Sequence, residues 1–207
     1  MVVKLTALSK RYGYQWIIKD VDYIFNQNMM YGLSGRNGSG KSTVIKLLSG
    51  FLSPSSGDVF CCKQDTVIPP SKFFYHFAWV APYTDVIQEF TLQEMFLFQS
   101  KFKDWQYNLN YKEFLDLLEW KDTGDKRISY FSSGMKQKLQ LALAILAKTD
   151  VLLLDEPTSY LDDHAKKWFA SLLLKHAEDR IIVISSNDKF DLDLTSEVVD
   201  ITRWHPG

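Results

Sequence analysis

Residues 32–43 read GLSGRNGSGKST, and four of the chain's ten glycines, Gly32, Gly35, Gly38 and Gly40, crowd into this stretch. Gly35, Arg36, Asn37, Gly38, Ser39, Gly40, Lys41 and Ser42 fit the spacing G-x-x-x-x-G-K-[ST], followed by Thr43. Glycines at these places let successive backbone N–H groups converge into an anion nest. A helix starting directly after them adds unpaired donors and the positive end of its dipole. Lys41 can then reach the outer phosphates of a nucleotide, and Ser42 can ligate Mg²⁺. A plain glycine turn is the alternative, but the apolar run before the loop and the helical pattern after it both favour a polyphosphate cradle.

A second constellation is VLLLDEP at 151–157. An all-apolar run stopped by proline reads as a central parallel strand. It ends in Asp155, a carboxylate able to hold Mg²⁺, and Glu156, able to polarise an attacking water as general base. Alone, an acidic pair at a strand end is equally an ordinary turn. With the glycine loop upstream, the metal and base roles are preferred.

The elements that must position these groups can be read from pattern. VVKLTAL (2–8) and WIIKDVDYIF (16–25) read as strands, with SKRYGY as the turn between them, and MMYGLS (29–34) is a short apolar strand. KSTVIKLLSG (41–50) has helical spacing that lets Val44, Leu47, Leu48 and Phe51 share a face. VFCC is a further strand, RIIVISS (180–186) is a second buried strand, and EVVDITRW closes the sheet. Between them, TLQEMFLFQSKF, YKEFLDLLEW and GMKQKLQLALAILAKTD read as helices, and so does DDHAKKWFASLLLKHAED. The order predicts an α/β core with a helical lobe at about 83–147, in one domain spanning 1–207.

Composition narrows the class. Apolar residues make up 46% of 207, enough for a sizeable core, and 24 Lys+Arg against 25 Asp+Glu leave a net charge of −1. That balance argues against a general nucleic-acid or anionic-membrane binder, so no nucleic acid is expected. Adjacent Cys61 and Cys62 are expected to be ordinary strand residues in a reducing compartment. The start lacks the apolar core of a signal peptide. No run approaches the ~18 apolar residues of a membrane span, so any membrane role is expected to come through a partner.

These residues resemble the ATP-binding subunit of ABC transporters, over nearly the whole chain. Gly35–Ser42 is similar to the Walker A motif, VLLLDEP to Walker B, and YFSSGMKQKL (130–139) to the family signature, with Phe131, Ser132, Ser133, Gly134 and Met135 in its five places. TSYLD is similar to the D-loop through Ser159, Leu161 and Asp162, and Tyr12 sits where the family places an adenine-stacking aromatic. The resemblance implies a P-loop NTPase core, with a mixed, mainly parallel sheet flanked by helices, N-terminal antiparallel strands and an inserted helical subdomain. It implies ATP and Mg²⁺ as ligands, with Ser42 and Asp155 at the metal. It also implies a head-to-tail homodimer or heterodimer in which the signature of one chain meets the ATP of the other. A transmembrane permease would be the partner, at the cytoplasmic face of the membrane.

Two places depart from the family pattern. After FAWV, Pro82 stands where the family has a glutamine; Gln88, six residues on, substitutes if the loop is longer. After RIIVI, Asn187 stands where the family has a histidine, and an amide cannot become a cation. The expectation is intact ATP binding with slow turnover by Glu156 and Asn187. A nucleotide-gated dimerising module with weak or no hydrolysis is the alternative. Trp79, Tyr83, Phe90, Phe96, Phe98 and Trp105 are candidates for touching the membrane partner, unless they pack in the core.

Overall fold

In the computed structural model, which describes residues 1–121 and 124–205, the chain starts with β1 (Val2–Tyr12), β2 (Gln15–Asn26) and β3 (Met29–Ser34). Then come α1 (Lys41–Leu48), β4 (Ser56–Lys63), β5 (Thr66–Ile68), α2 (Phe73–His76) and β6 (Phe77–Val80). Three helices follow, α3 (Leu92–Gln99), α4 (Tyr111–Leu118) and α5 (Ser133–Leu146). The chain closes with β7 (Val151–Asp155), α6 (Asp163–Lys175), β8 (Ile181–Ser185), α7 (Lys189–Asp193) and β9 (Glu197–Asp200). The strands form two sheets, an antiparallel one in the order β2-β1-β4-β5 and a parallel one in the order β6-β7-β8-β3-β9.

The central strands β7 and β8 of the parallel sheet are buried on both faces and are apolar at every position but the last for that reason. Val151 and Leu153 of β7, with Ile181 and Val183 of β8, pack on one side with α1 and the antiparallel sheet. Leu152 and Leu154, with Ile182 and Ile184, pack on the other side with α3, α4, α5 and α6. Cys61 lies in the first of these cores, where burial pushes its thiol up to about 12; it is a packing residue, as expected. Because the strands are parallel, the loop after β3, the turn after β6, the end of β7 and the end of β8 emerge at one edge. Ligands bind along such an edge in open α/β sheets.

Two expectations are corrected. The β1–β2 pairing runs on to Tyr12↔Gln15, leaving only Gly13 and Tyr14 as the loop rather than all of SKRYGY. Register shifts between Leu5 and Leu8 and again near Lys10, with Ala7 at φ 44°, break the alternation that would have marked residues 9–12 as strand. Phe51 does not share the buried face of α1. The helix ends at Leu48, Gly50 turns the chain at φ 74°, and Phe51 swings out to meet Trp79 with ring centroids 5.3 Å apart. Of the six aromatic candidates for a partner contact, Phe96 and Trp105 take the alternative of core packing and stack at 4.8 Å inside the helical layer.

Candidate nucleotide site

The glycine loop joins β3 to α1. Gly40 is the N-cap of α1 at φ 95°, and no side chain caps the helix. A Cβ on Gly40 would lie 2.4 Å from Ile17 Cγ2, so glycine is required here by both dihedral and space. Gly35, at φ 148°, leaves room for Ser39, whose hydroxyl would be 2.7 Å from a Cβ at that place. That buried Ser39 hydroxyl has no hydrogen-bond partner among the described residues. The loop and the first turn of α1 line a cavity of about 380 Å³ shared by Ile17, Asn37, Lys41, Ser42, Thr43 and Glu156.

Lys41 reaches across this cavity. Its ammonium donates to the Gly35 carbonyl at 2.8 Å and to Asn187 Oδ1 at 3.1 Å, and lies 4.0 Å from Glu156 Oε1. Asn187 also donates through Nδ2 to Asn37 Oδ1, so the residue at the histidine position ties the end of β8 to the glycine loop. Glu156 sits at φ 48°, its N–H donating to the Ser185 carbonyl at 2.7 Å, and its Oε2 accepts from Ser186 at 3.2 Å. Ser186 also lies 2.7 Å from Asp191 Oδ2, whose carboxyl burial pushes up. Asp155 is buried and in register with Ser185, which donates to its Oδ1 at 2.8 Å.

No group of three or more His, Cys, Asp or Glu among the described residues could hold a metal by itself. Of the two residues the resemblance implies at a metal, Ser42 lines the cavity and Asp155 lies buried at the end of β7 beside Glu156, which also lines it. That fits Mg²⁺, which keeps waters and takes phosphate oxygens rather than an all-protein cage.

The remaining residues singled out in the sequence fall as follows. Ser132 is the N-cap of α5 and accepts from the Met135 N–H at 3.2 Å; Ser133 lines a separate cavity of about 330 Å³ with Tyr83 and Tyr160. Gly134 lies so close to the Tyr160 carbonyl that a Cβ would be 3.1 Å away. Ser159 donates to the Glu156 carbonyl at 3.0 Å, Leu161 is buried, and Asp162 is the N-cap of α6, accepting from Ala165 at 2.8 Å. Tyr12 is half-exposed at the end of β1, and Arg36 is exposed; the cavity wall beside the loop is Ile17.

Gln88 does not substitute at the metal side. Its side chain is engaged by Asp85 and by Lys136, the latter at 3.1 Å. Pro82 is exposed, and the next residue, Tyr83, is the one whose hydroxyl reaches Asp155. Tyr83, Ile17, Ser185 and Ser186 were not singled out as site residues from sequence. Their roles depend on strand register, which no local motif carries.

The ABC transporter family model matches residues 18–159, a span that holds the glycine loop, Asp155 and Glu156. The chain belongs to the ABC transporter family. As an ABC-type ATP-binding subunit it is 30% identical to the bacitracin transport ATP-binding protein BcrA of Bacillus licheniformis, over 100% of this chain and 67% of that protein. It is 26% identical to the uncharacterized ABC transporter ATP-binding protein YcbN of Bacillus subtilis, over 98% of this chain and 66% of that one. The chain thus spans about two thirds of the length of these relatives. Among solved structures, the ATP binding subunit of an ABC transporter superposes with a TM-score of 0.80 at 24% identity, over 98% of this chain and 87% of that one. The bacterial ABC transporter cassette MJ0796, solved as a dimer, superposes with a TM-score of 0.77 at 19% identity, over 97% and 95%. The ABC-type fold is that of a P-loop NTPase, as the resemblance implied.

Proposed function

We propose that this subunit binds ATP with Mg²⁺ and hydrolyses it in a head-to-tail dimer, driving substrate movement through a separate transmembrane partner. The observation that carries this is the meeting of Lys41, Asn187 and Glu156 at the uncapped end of α1. The triphosphate tail lies in the glycine loop, with Lys41 turning from the Gly35 carbonyl toward the outer phosphates. Bound Mg²⁺, held by Ser42 and near Asp155, would offset charge on the phosphate oxygens. Glu156, aimed by Ser186 and by its own strained backbone, takes the proton of the attacking water.

Ser132, Ser133, Gly134 and Met135 do not line the cavity that holds Lys41. A second copy, or a related chain, supplies them in this reading, with Ser159, Leu161 and Asp162 near the seam. The related cassette MJ0796 has also been solved as a dimer bound to ADP and Pi, a post-hydrolysis state.

No helix among the described residues is long and apolar enough to cross a membrane. In this reading the 1–207 domain is peripheral, on the cytoplasmic face, and its inserted helical part at about 83–147 meets the permease. An apolar groove of about 360 Å³ lies where this part meets α2 and β6, lined by Phe74, Trp79, Met95, Phe98, Phe102 and Lys103, and suits a short helix of the partner. Phe74 and Phe102, both exposed, belong to this groove although only Trp79 and Phe98 of it were expected from sequence.

Phosphate release by the purified protein tests the catalytic part. Glu156→Gln is expected to lower turnover by about 10²-fold or more while Mg²⁺·ATP still binds. Asn187→His is expected to raise it, because an imidazolium supplies the charge-assisted contact that an amide lacks. Brisk turnover unchanged by Asn187→Ala would overturn the limiting role of Asn187. ATP-driven dimerisation without phosphate release would overturn hydrolysis itself.

A further inference from the structure

The turn after β6 connects three parts of the molecule. Ala81 and Thr84 close it through Thr84 N–H to Ala81 O at 3.0 Å and the Thr84 hydroxyl to the same carbonyl at 2.7 Å. Gln140 of α5 donates to the Thr84 carbonyl at 2.8 Å, fastening the turn to the helix that Ser132 begins. Inside the turn, Tyr83 points the other way. Its hydroxyl lies 3.4 Å from Asp155 Oδ2, and the Lys46 ammonium of α1 sits 4.0 Å from its ring centroid. Its ring meets Trp79, a wall of the apolar groove, edge-on at 5.6 Å.

The two oxygens of Asp155 are therefore held by two hydroxyls, Ser185 on Oδ1 and Tyr83 on Oδ2. Ser185 belongs to the rigid sheet. Tyr83 belongs to a turn that also touches α5 and the groove.

We propose that Tyr83 is a positioning residue for the metal side of the site: its hydroxyl orients Asp155 and makes the 81–84 turn sensitive to what Asp155 binds. This rests on the Mg²⁺·nucleotide reading above. Tyr83 touches neither phosphate nor water in the proposal; it acts through Asp155. The Lys46 contact and the Trp79 edge hold the ring, so loss of the hydroxyl alone is a clean test.

Mn²⁺ binding to the ADP-loaded protein, followed by electron paramagnetic resonance, is compared between the unaltered chain and Tyr83→Phe. The expected result is about three- to ten-fold weaker Mn²⁺ affinity in the variant, from loss of one long hydrogen bond to a charged group. ADP affinity in a chelator should not move, which separates positioning from a general structural role. Hydrogen exchange at residues 81–84 should respond to Mn²⁺·ADP in the unaltered chain and not in Tyr83→Phe. Equal Mn²⁺ affinity in the two proteins, or an equal loss of metal-free ADP affinity, would overturn the proposal while leaving nucleotide binding intact. An unaltered chain that takes up no ADP in either condition would bring down the nucleotide reading and this proposal together.

Discussion

Among the described residues, five α-helices of eight residues or more begin in two different ways. Helices α3 and α4 close on reciprocal boxes, Thr91 with Glu94 and Asn110 with Glu113. Helix α5 is capped by Ser132 and α6 by Asp162. Helix α1 alone among these begins on a glycine with no side chain across its first N–H groups. A capped end has satisfied its orphan donors internally and offers less to a ligand. The bare end of α1 forgoes that stability, and it is the end that faces the cavity with Lys41. The contrast teaches where to look for an anion: at the terminus the fold leaves unfinished. It also sets a condition on α5. Ser132 already accepts from Met135, so in the proposed dimer a phosphate brought by a second copy would be met with that cap in place.

The largest expected effect comes from damaging the bare end. Lys41→Ala should weaken ATP binding by about ten- to hundred-fold, the loss of a charge-assisted contact of about 1.5–3 kcal/mol. Gly40→Ser would place at α1 the residue type that caps α5. At φ 95°, with Ile17 2.4 Å from the new Cβ, it should destabilise the fold instead, by about 1 kcal/mol or more. Calorimetric titration and thermal melting check both. If Gly40→Ser were stable and bound ATP normally, the end of α1 would be no different in kind from the others.

The same contrast explains how much could be read from residues alone. The glycine loop was legible because backbone geometry restricts which residues can stand at positions 35 and 40. The strands β7 and β8 were legible because burial on both faces demands unbroken apolar runs. Asp155 and Glu156 followed from their place at a strand end. The partners of those acids were not legible. Ser185 meets Asp155 only because β7 and β8 pair in that register, and Tyr83 reaches it from 72 residues away. Alignment by motif set Pro82 at that place, since no local pattern says which residue of a short turn points inward. The aromatic residues show the same limit. Phe96 and Phe98 lie on one helix, yet one is buried and stacked on Trp105 while the other lines the groove.

A smaller effect tests the capped ends. Thr91→Ala should cost about 1 kcal/mol of stability, typical of a lost N-cap, and leave ATP affinity unchanged. Ser132→Ala should cost a similar amount. It should also slow turnover, if α5 faces the phosphate of a second copy, while leaving ATP affinity of the monomer alone. A Thr91→Ala protein with impaired ATP binding would mean the helix ends are not separable in this way.

The smallest effect is a titration. Glu94 is held below its ordinary value of 4.5, first by the hydrogen bond from the Thr91 backbone N–H and then by the Thr91 hydroxyl. A carboxylate depressed in the folded state contributes stability that is fully present above its ordinary value and is lost as pH falls through the folded one. The box on α3 should therefore open in acid, whereas the start of α1 has no carboxylate to protonate. Carboxyl carbon resonances of Glu94 report this directly. Thr91→Ala removes one of the two bonds and should move the midpoint part of the way up. Thr91→Pro suits φ −74° and removes the backbone donor as well, so it should move the midpoint further. A midpoint indifferent to both substitutions would show that the Glu94 carboxylate is not tied to the terminus, leaving the Thr91 hydroxyl as the one side-chain cap of α3.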